Sequence, residues 1–264
     1  MSKVWVIVRK EWSEVFKNKM VLFAVAFLPL LFTAMPLGIL ATMRGSGDVS
    51  AMSGVSELPS EFSQLCTGLQ GAECMQYFLV SQFMMLFMMI PVIIPVTIAS
   101  YSIVGEKSTR TLEPLLATPV TTLELLGGKA LAAALPAVGA TWLSFLIFAI
   151  GTRVLVDSPA ILARLFAPLW LLAIFLVGPL LAIAGVSVAV MVSSRVNDPR
   201  VAEQVSALVM IPLIAMLLGQ SFGLIYIDET LIIWIALAMF VIDAGLLYFS
   251  VQLFQRETIL TRWK

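Results

Sequence analysis

Six long apolar runs constrain this chain more than any other feature. They extend approximately from Met20 to Met43, Tyr77 to Val104, Gly127 to Ile150, Leu165 to Val192, Val201 to Ile225 and Leu231 to Phe254. A helix needs about 20 apolar residues to cross the hydrocarbon layer, and its backbone polar groups must bond internally because no water is available there. Each run satisfies that length, so an all-α, polytopic membrane protein with six transmembrane helices is expected. Only 12 % of the residues are charged, against roughly 25 % in a soluble domain, and they gather between the runs. A cleaved leader would have a shorter apolar segment and a soluble chain after it, so the first run is expected to remain as a helix.

The basic residues divide unequally between the two sides. Lys3, Arg9, Lys10, Lys17, Lys19, Lys107, Arg110, Lys129, Arg195, Arg200, Arg256, Arg262 and Lys264 fall on one side and Arg44, Arg153 and Arg164 on the other, which accounts for all 16. Short loops rich in lysine and arginine stay cytoplasmic. Both termini are therefore expected in the cytoplasm, which requires an even number of spans and agrees with six. The net charge is zero, so no basic field points to nucleic acid.

Residues 1–19 form an expected amphipathic helix at the cytoplasmic interface. Trp5, Val8, Trp12, Val15 and Phe16 recur at steps of three and four, with Lys10, Glu14 and Lys17 on other faces. Tryptophan suits the headgroup layer, and cations suit anionic lipid. The transmembrane domain then occupies 20–264. Within it, 44–76 is the long polar external loop and holds Cys66 and Cys74. These are close enough in sequence for a disulfide in an oxidising compartment, with free thiols as the other reading.

Prolines stand in the first five spans (Pro29 and Pro36; Pro91 and Pro95; Pro136; Pro168 and Pro179; Pro212), and kinks are expected at them. In the fourth span Gly178, Ala182, Gly185 and Ala189 make a small-residue face for close helix packing. Met84, Met85, Met88 and Met89 read as adaptable packing in preference to a soft-metal path.

There is no histidine, which excludes a serine–histidine nucleophile, a histidine-ligated zinc and the usual general base. Gly127-Gly128-Lys129 imitates the end of a phosphate loop, but Leu123 and Ala130 stand where that motif requires glycine and serine or threonine. The chain is not expected to be an enzyme by itself or to hold a cofactor or metal. Asp243 is the acid deep within an expected span. A carboxylate there must be neutral, paired or wet, and two readings stand, a functional group or an interhelical hydrogen bond.

The cytoplasmic segment 105–126 is strongly patterned. Thr121 and Glu124 fit a capping box at the start of the third span, and Pro119 ends a short helix expected near 111–118. Leu112, Leu115 and Leu116 give that helix an apolar ridge beside Arg110 and Glu113.

Gly105-Glu106-Lys107, then Thr111-Leu112-Glu113-Pro114-Leu115-Leu116-Ala117-Thr118-Pro119-Val120, then Glu124-Leu125-Leu126 and Gly128-Lys129 follow one another at close spacing. With Arg9-Lys10-Glu11 before the first span and Asn197-Asp198-Pro199-Arg200 leading to Ile211-Pro212, this order resembles the permease subunits of the ABC type-2 exporter family over nearly the whole chain. The resemblance implies a fold like that of type V ABC exporters and a coupling helix near Arg110–Thr118 that docks in a cleft of a separate ATPase subunit. That subunit would bind ATP and magnesium. It also implies a second permease copy, identical or a close paralogue, around the pathway, and short re-entrant helices between the last two spans, near Gly219, Gly223 and Asp228.

On this reading the coupling residues are Glu106, Arg110, Leu112, Glu113, Leu115 and Leu116, with Glu106 and Glu113 anchoring to the ATPase or the amphipathic helix. The expected setting is the plasma (inner) membrane of a prokaryote, in contact with lipid. The external loop departs from the family core. A non-transporting membrane scaffold or assembly subunit that binds a soluble partner is the alternative, and the cargo is not legible.

Overall fold

The computed structural model describes residues 3–46, 72–108, 120–225 and 227–253. Among them the secondary structure is helical, without strands, and six stretches are long and apolar enough to cross a membrane: Val21–Arg44, Glu73–Lys107, Leu123–Leu155, Pro159–Arg195, Pro199–Ser221 and Glu229–Leu253. The protein is an all-α multi-pass membrane protein. Helix α1 (Lys3–Val15) precedes the first span, α2 (Lys19–Ser46). The second span is α3 (Ala72–Phe87) with α4 (Ile90–Ser108), and the third is α5 (Thr122–Leu155). The fourth combines α6 (Pro159–Leu165), α7 (Pro168–Leu172) and α8 (Gly178–Arg195), the fifth combines α9 (Pro199–Ser206) and α10 (Ile211–Ser221), and the sixth is α11 (Glu229–Leu253).

Several breaks lie next to proline, for a common reason. A proline lacks the N–H that would bond four residues back, and its ring displaces that carbonyl. Ahead of Pro91 the second span tightens, with Met88 N–H donating to Met85 O and Met89 N–H to Leu86 O. Ahead of Pro212 the fifth span passes through a 3₁₀ turn at Ala207–Met210. Ahead of Pro179 the fourth span widens into a π turn at Ala173–Val177, where Gly178 N–H reaches back five residues to Ala173 O.

Carbonyls released in this way need donors in a dry interior, and two are met by indoles. Pro136 cannot donate to Ala132, and the indole N–H of Trp12 in α1 donates to Ala132 O at 2.9 Å. In the π register Pro179 cannot donate to Ile174, and Trp142 of α5 donates to Ile174 O at 3.4 Å.

The centre of the bundle is α4 packed on α8. The expected small-residue face lies in that contact: Gly178, Ala182, Gly185 and Ala189 are all buried. A Cβ on Gly185 would stand 3.2 Å from Val92 O, so glycine sets how closely the two backbones approach. Met84, Met85 and Met88 are part of the apolar core. The second span is 83 % buried, whereas the first, fifth and sixth are buried over only 18 %, 11 % and 17 %. The latter three form the periphery and present apolar faces outward.

Between Ser221 and Glu229 the expected re-entrant helix is not found among the described residues. Instead the chain turns at Gly223 (φ 70°) and folds back, with Leu224 and Ile225 N–H both donating to Gly219 O. Ile225 lies against Gly219 so closely that a Cβ there would be 2.6 Å from its Cδ1. Seven residues separate two apolar helices here, enough for a turn and too few for a helical detour and its return.

Candidate functional site: a buried ionic joint at the base of the bundle

Helix α1 lies against the start of α5 and the end of α4. Its apolar arc is divided. Val8 and Val15 are buried, while Trp5 and Phe16 are exposed at its other edge, the position suited to headgroups. Glu11, three residues after Val8 and four before Val15, falls on the buried stripe and is 2 % exposed. On α5, Gly128 admits the helix: a Cβ there would stand 2.8 Å from both Cβ and Cγ2 of Ile7.

Glu11 enters a compact set of charges. Lys129 donates from Nζ to Glu11 Oε1 at 2.7 Å and to Ser102 Oγ at 2.7 Å, and pairs with Glu106 Oε2 at 2.9 Å. Ser102 donates in turn to Glu11 Oε2 at 2.5 Å. Lys10 donates to Glu106 Oε1 and lies 3.5 Å from Glu11 and 3.4 Å from Glu14. Ser102 and Glu106 are one turn apart on α4, so one face of that helix meets α1 and α5 together. Two carboxylates and two ammonium groups balance, which a buried set must do because an uncompensated buried charge is costly.

Burial alone raises the Glu11 carboxyl. The charge and hydrogen bond of Lys129, the hydroxyl of Ser102 and the charge of Lys10 overcome it and hold Glu11 below the usual carboxylate range. Burial likewise opposes the Lys10 ammonium, yet the hydrogen bond and charge of Glu106, with Glu11 and Glu14, hold it above the usual lysine range. Carboxylate oxygens of Glu11, Glu14 and Glu106 lie within 4.8 Å of one another. Lys10 and Lys129 already pair with the two buried carboxylates, Glu11 and Glu106, while Glu14 is exposed to solvent beside Lys10, so the buried oxygens are taken up by lysines.

The joint brackets the patterned segment. Glu106 lies just before 109–119 and Lys129 shortly after it, and the capping box forms as expected, with Glu124 N–H donating to Thr121 Oγ1 and Thr121 N–H to Glu124. Arg110, Leu112, Glu113, Leu115 and Leu116 lie outside the described residues. Of the sites named from sequence, Glu106 is thus placed in the joint with Lys10 and Lys129. Asp243 is on α11, is 4 % exposed and takes no part in the joint's contacts. Cys74 is disulfide-bonded; Cys66, the chain's other cysteine, lies outside the described residues.

Sequence reasoning did not select Glu11, Ser102 or Lys129. The signal was present: Glu11 is a charge at a core position of an amphipathic helix, and Lys129 follows a glycine pair at the start of an apolar run. Glu203 was passed over as well. It accepts from Thr97 Oγ1 at 2.6 Å and fastens the start of the fifth span to α4. At the far end of that span Gln220 donates to Ser81 Oγ at 3.4 Å.

Residues 5–233 match the family model described as "ABC-2 family transporter protein". No curated protein sequence matches the chain.

Proposed function

The chain belongs to the ABC-2 transporter family, and from that premise we propose that it is the permease of an ATP-driven exporter. In this reading it forms the translocation pathway with a second permease copy and is driven by a separate ATPase that binds ATP and magnesium. The single observation that carries the reading is the joint of Lys10, Glu11, Ser102, Glu106 and Lys129. It ties both helices that flank 109–119 to the interfacial helix, so a push on that segment moves α1, α4 and α5 as one body. A flexible tether would absorb the same push.

The ATPase docks on the segment through the apolar ridge of Leu112, Leu115 and Leu116, with Arg110 and Glu113 beside it. Glu106 acts within the joint and transmits the motion. ATP binding closes two ATPases and shifts the permeases between access states. The second copy is supported by the fifth span, which leaves Val205, Leu208, Ile211, Leu218 and Phe222 exposed along one side. The setting is the plasma membrane of a prokaryote, and the division of basic residues supports placing both termini in the cytoplasm. Membership of a transporter family speaks against the scaffold reading.

Replacing Leu115 and Leu116 together by Asp should abolish co-purification of the ABC ATPase co-expressed with this chain, with the variant still inserted in the membrane. Undiminished co-purification would remove the segment from the coupling route.

A further inference from the structure

Asp243 is the unexplained charge of the bundle. It is 4 % exposed, and neither carboxyl oxygen has a hydrogen-bond partner among the described residues. It stands 14 residues after Glu229 and 10 before Leu253, which at a rise of about 1.5 Å per residue puts it about 21 Å and about 15 Å from the ends of α11. The residues of α11 that are buried, Ile232, Ala236, Asp243 and Ser250, share the side packed on α8, where Ser250 donates to Ser187 O at 3.3 Å. The carboxyl therefore lies inside the protomer, away from the outward apolar face of the same helix.

Among the described residues, the elements packed on α11 place no compensating charge beside Asp243. Of the elements packed on α11, α7 and the π turn have no titratable side chain, α8 has only Arg195 at its cytoplasmic end, and α5 has Glu124, Lys129 and Arg153 near its two ends. On α11 itself the others are Glu229 at the start and Tyr248, which is exposed. An interhelical hydrogen bond, one of the two readings open from sequence, is not formed among the described residues.

An isolated carboxylate in such surroundings is far costlier than the neutral acid. A metal cation would need several oxygen ligands converging on one point, whereas a proton needs one. We propose that Asp243 is an intramembrane proton-binding site, its carboxyl carrying a proton whenever α11 lies against α8. The proton is then a ligand of the seated sixth span. Separation of α11 from α8 admits water and releases it, so seating and unseating exchange one proton with the medium. This site lies apart from the ionic joint, and its test involves no ATPase.

The full-length permease in lipid nanodiscs is treated at neutral pH with dicyclohexylcarbodiimide, a lipid-soluble reagent that reacts with protonated carboxyls. The acid proton passes to a carbodiimide nitrogen as the carboxyl oxygen bonds to the central carbon, and rearrangement leaves a stable N-acylurea. Peptide mass spectrometry should find the adduct at Asp243 and not at Glu11 or Glu106, which are paired with lysines, and Asp243→Asn should lose that adduct alone. Infrared spectra decide independently of reagent access. The wild type should show a carboxylic-acid C=O band that is missing in Asp243→Asn, and a carboxylate band in its place overturns the proposal. Protection from the reagent by sodium ions at constant pH would mean that a metal cation holds the site, and overturns it too.

Discussion

Lys129→Met tests the ionic joint most directly. The substitution keeps most of the unbranched stem and deletes only the ammonium, whose side chain is 4 % exposed and lies 2.7 Å from Glu11, 2.9 Å from Glu106 and 2.7 Å from Ser102. What remains is two carboxylates, 3 % and 7 % exposed, facing the single half-buried ammonium of Lys10. Removing one partner from a buried ionic set costs about 3–5 kcal/mol, because the survivor stays desolvated without compensation. Adding Glu11→Gln to Lys129→Met leaves Lys10 with Glu106, a neutral pair, and should recover more than half of the loss. Denaturant unfolding of the detergent-solubilised permease, followed by tryptophan fluorescence, measures Lys129→Met, Glu11→Gln and the double variant against the wild type. Two results refute the reasoning: a Lys129→Met loss within about 0.5 kcal/mol, the range of an ordinary surface substitution, or single effects that add within about 0.5 kcal/mol, as independent sites do.

The acid limb of stability has a defined sign. Glu11 is held below its ordinary range, so its contribution is fully present above the unfolded carboxylate value of about 4.3 and is lost as pH falls through the lower folded value. From pH 5 downward the wild type should lose stability more steeply than Glu11→Gln; parallel melting curves against pH would contradict this. Gly128→Ala places a methyl 2.8 Å from both Cβ and Cγ2 of Ile7 and should cost about 1–3 kcal/mol by overpacking, with Ile7→Ala restoring only part of it in the double variant because alanine keeps the Cβ. Trp12→Phe leaves Ala132 O without its indole donor and should cost about 1–3 kcal/mol. In a Pro136→Ala background, where residue 136 supplies the missing N–H, the same change should cost distinctly less, and an equal cost in both backgrounds would sever the proposed link.

How legible the protein was in its sequence depends on whether a property is local. Span number, the amphipathic start and the capping box at Thr121 and Glu124 follow from composition and spacing over one or two dozen residues, because hydrocarbon thickness and helix geometry act on each segment separately. The small-residue face from Gly178 to Ala189 was readable for the same reason. Tertiary structure alone decided which helix that face meets. It also decided that Glu11, Ser102, Glu106 and Lys129 converge, although up to 118 positions separate them in the chain. Charge balance among distant residues leaves no periodic trace in any one segment. The roles of Trp12 and Pro136 were equally hidden, since a donor on one helix and a missing donor on another acquire meaning only when the backbones touch. Asp243 shows both sides: its depth and isolation within a span are evident from sequence, but that none of the described residues reaches its carboxyl is decided by the packing of α11 on α8.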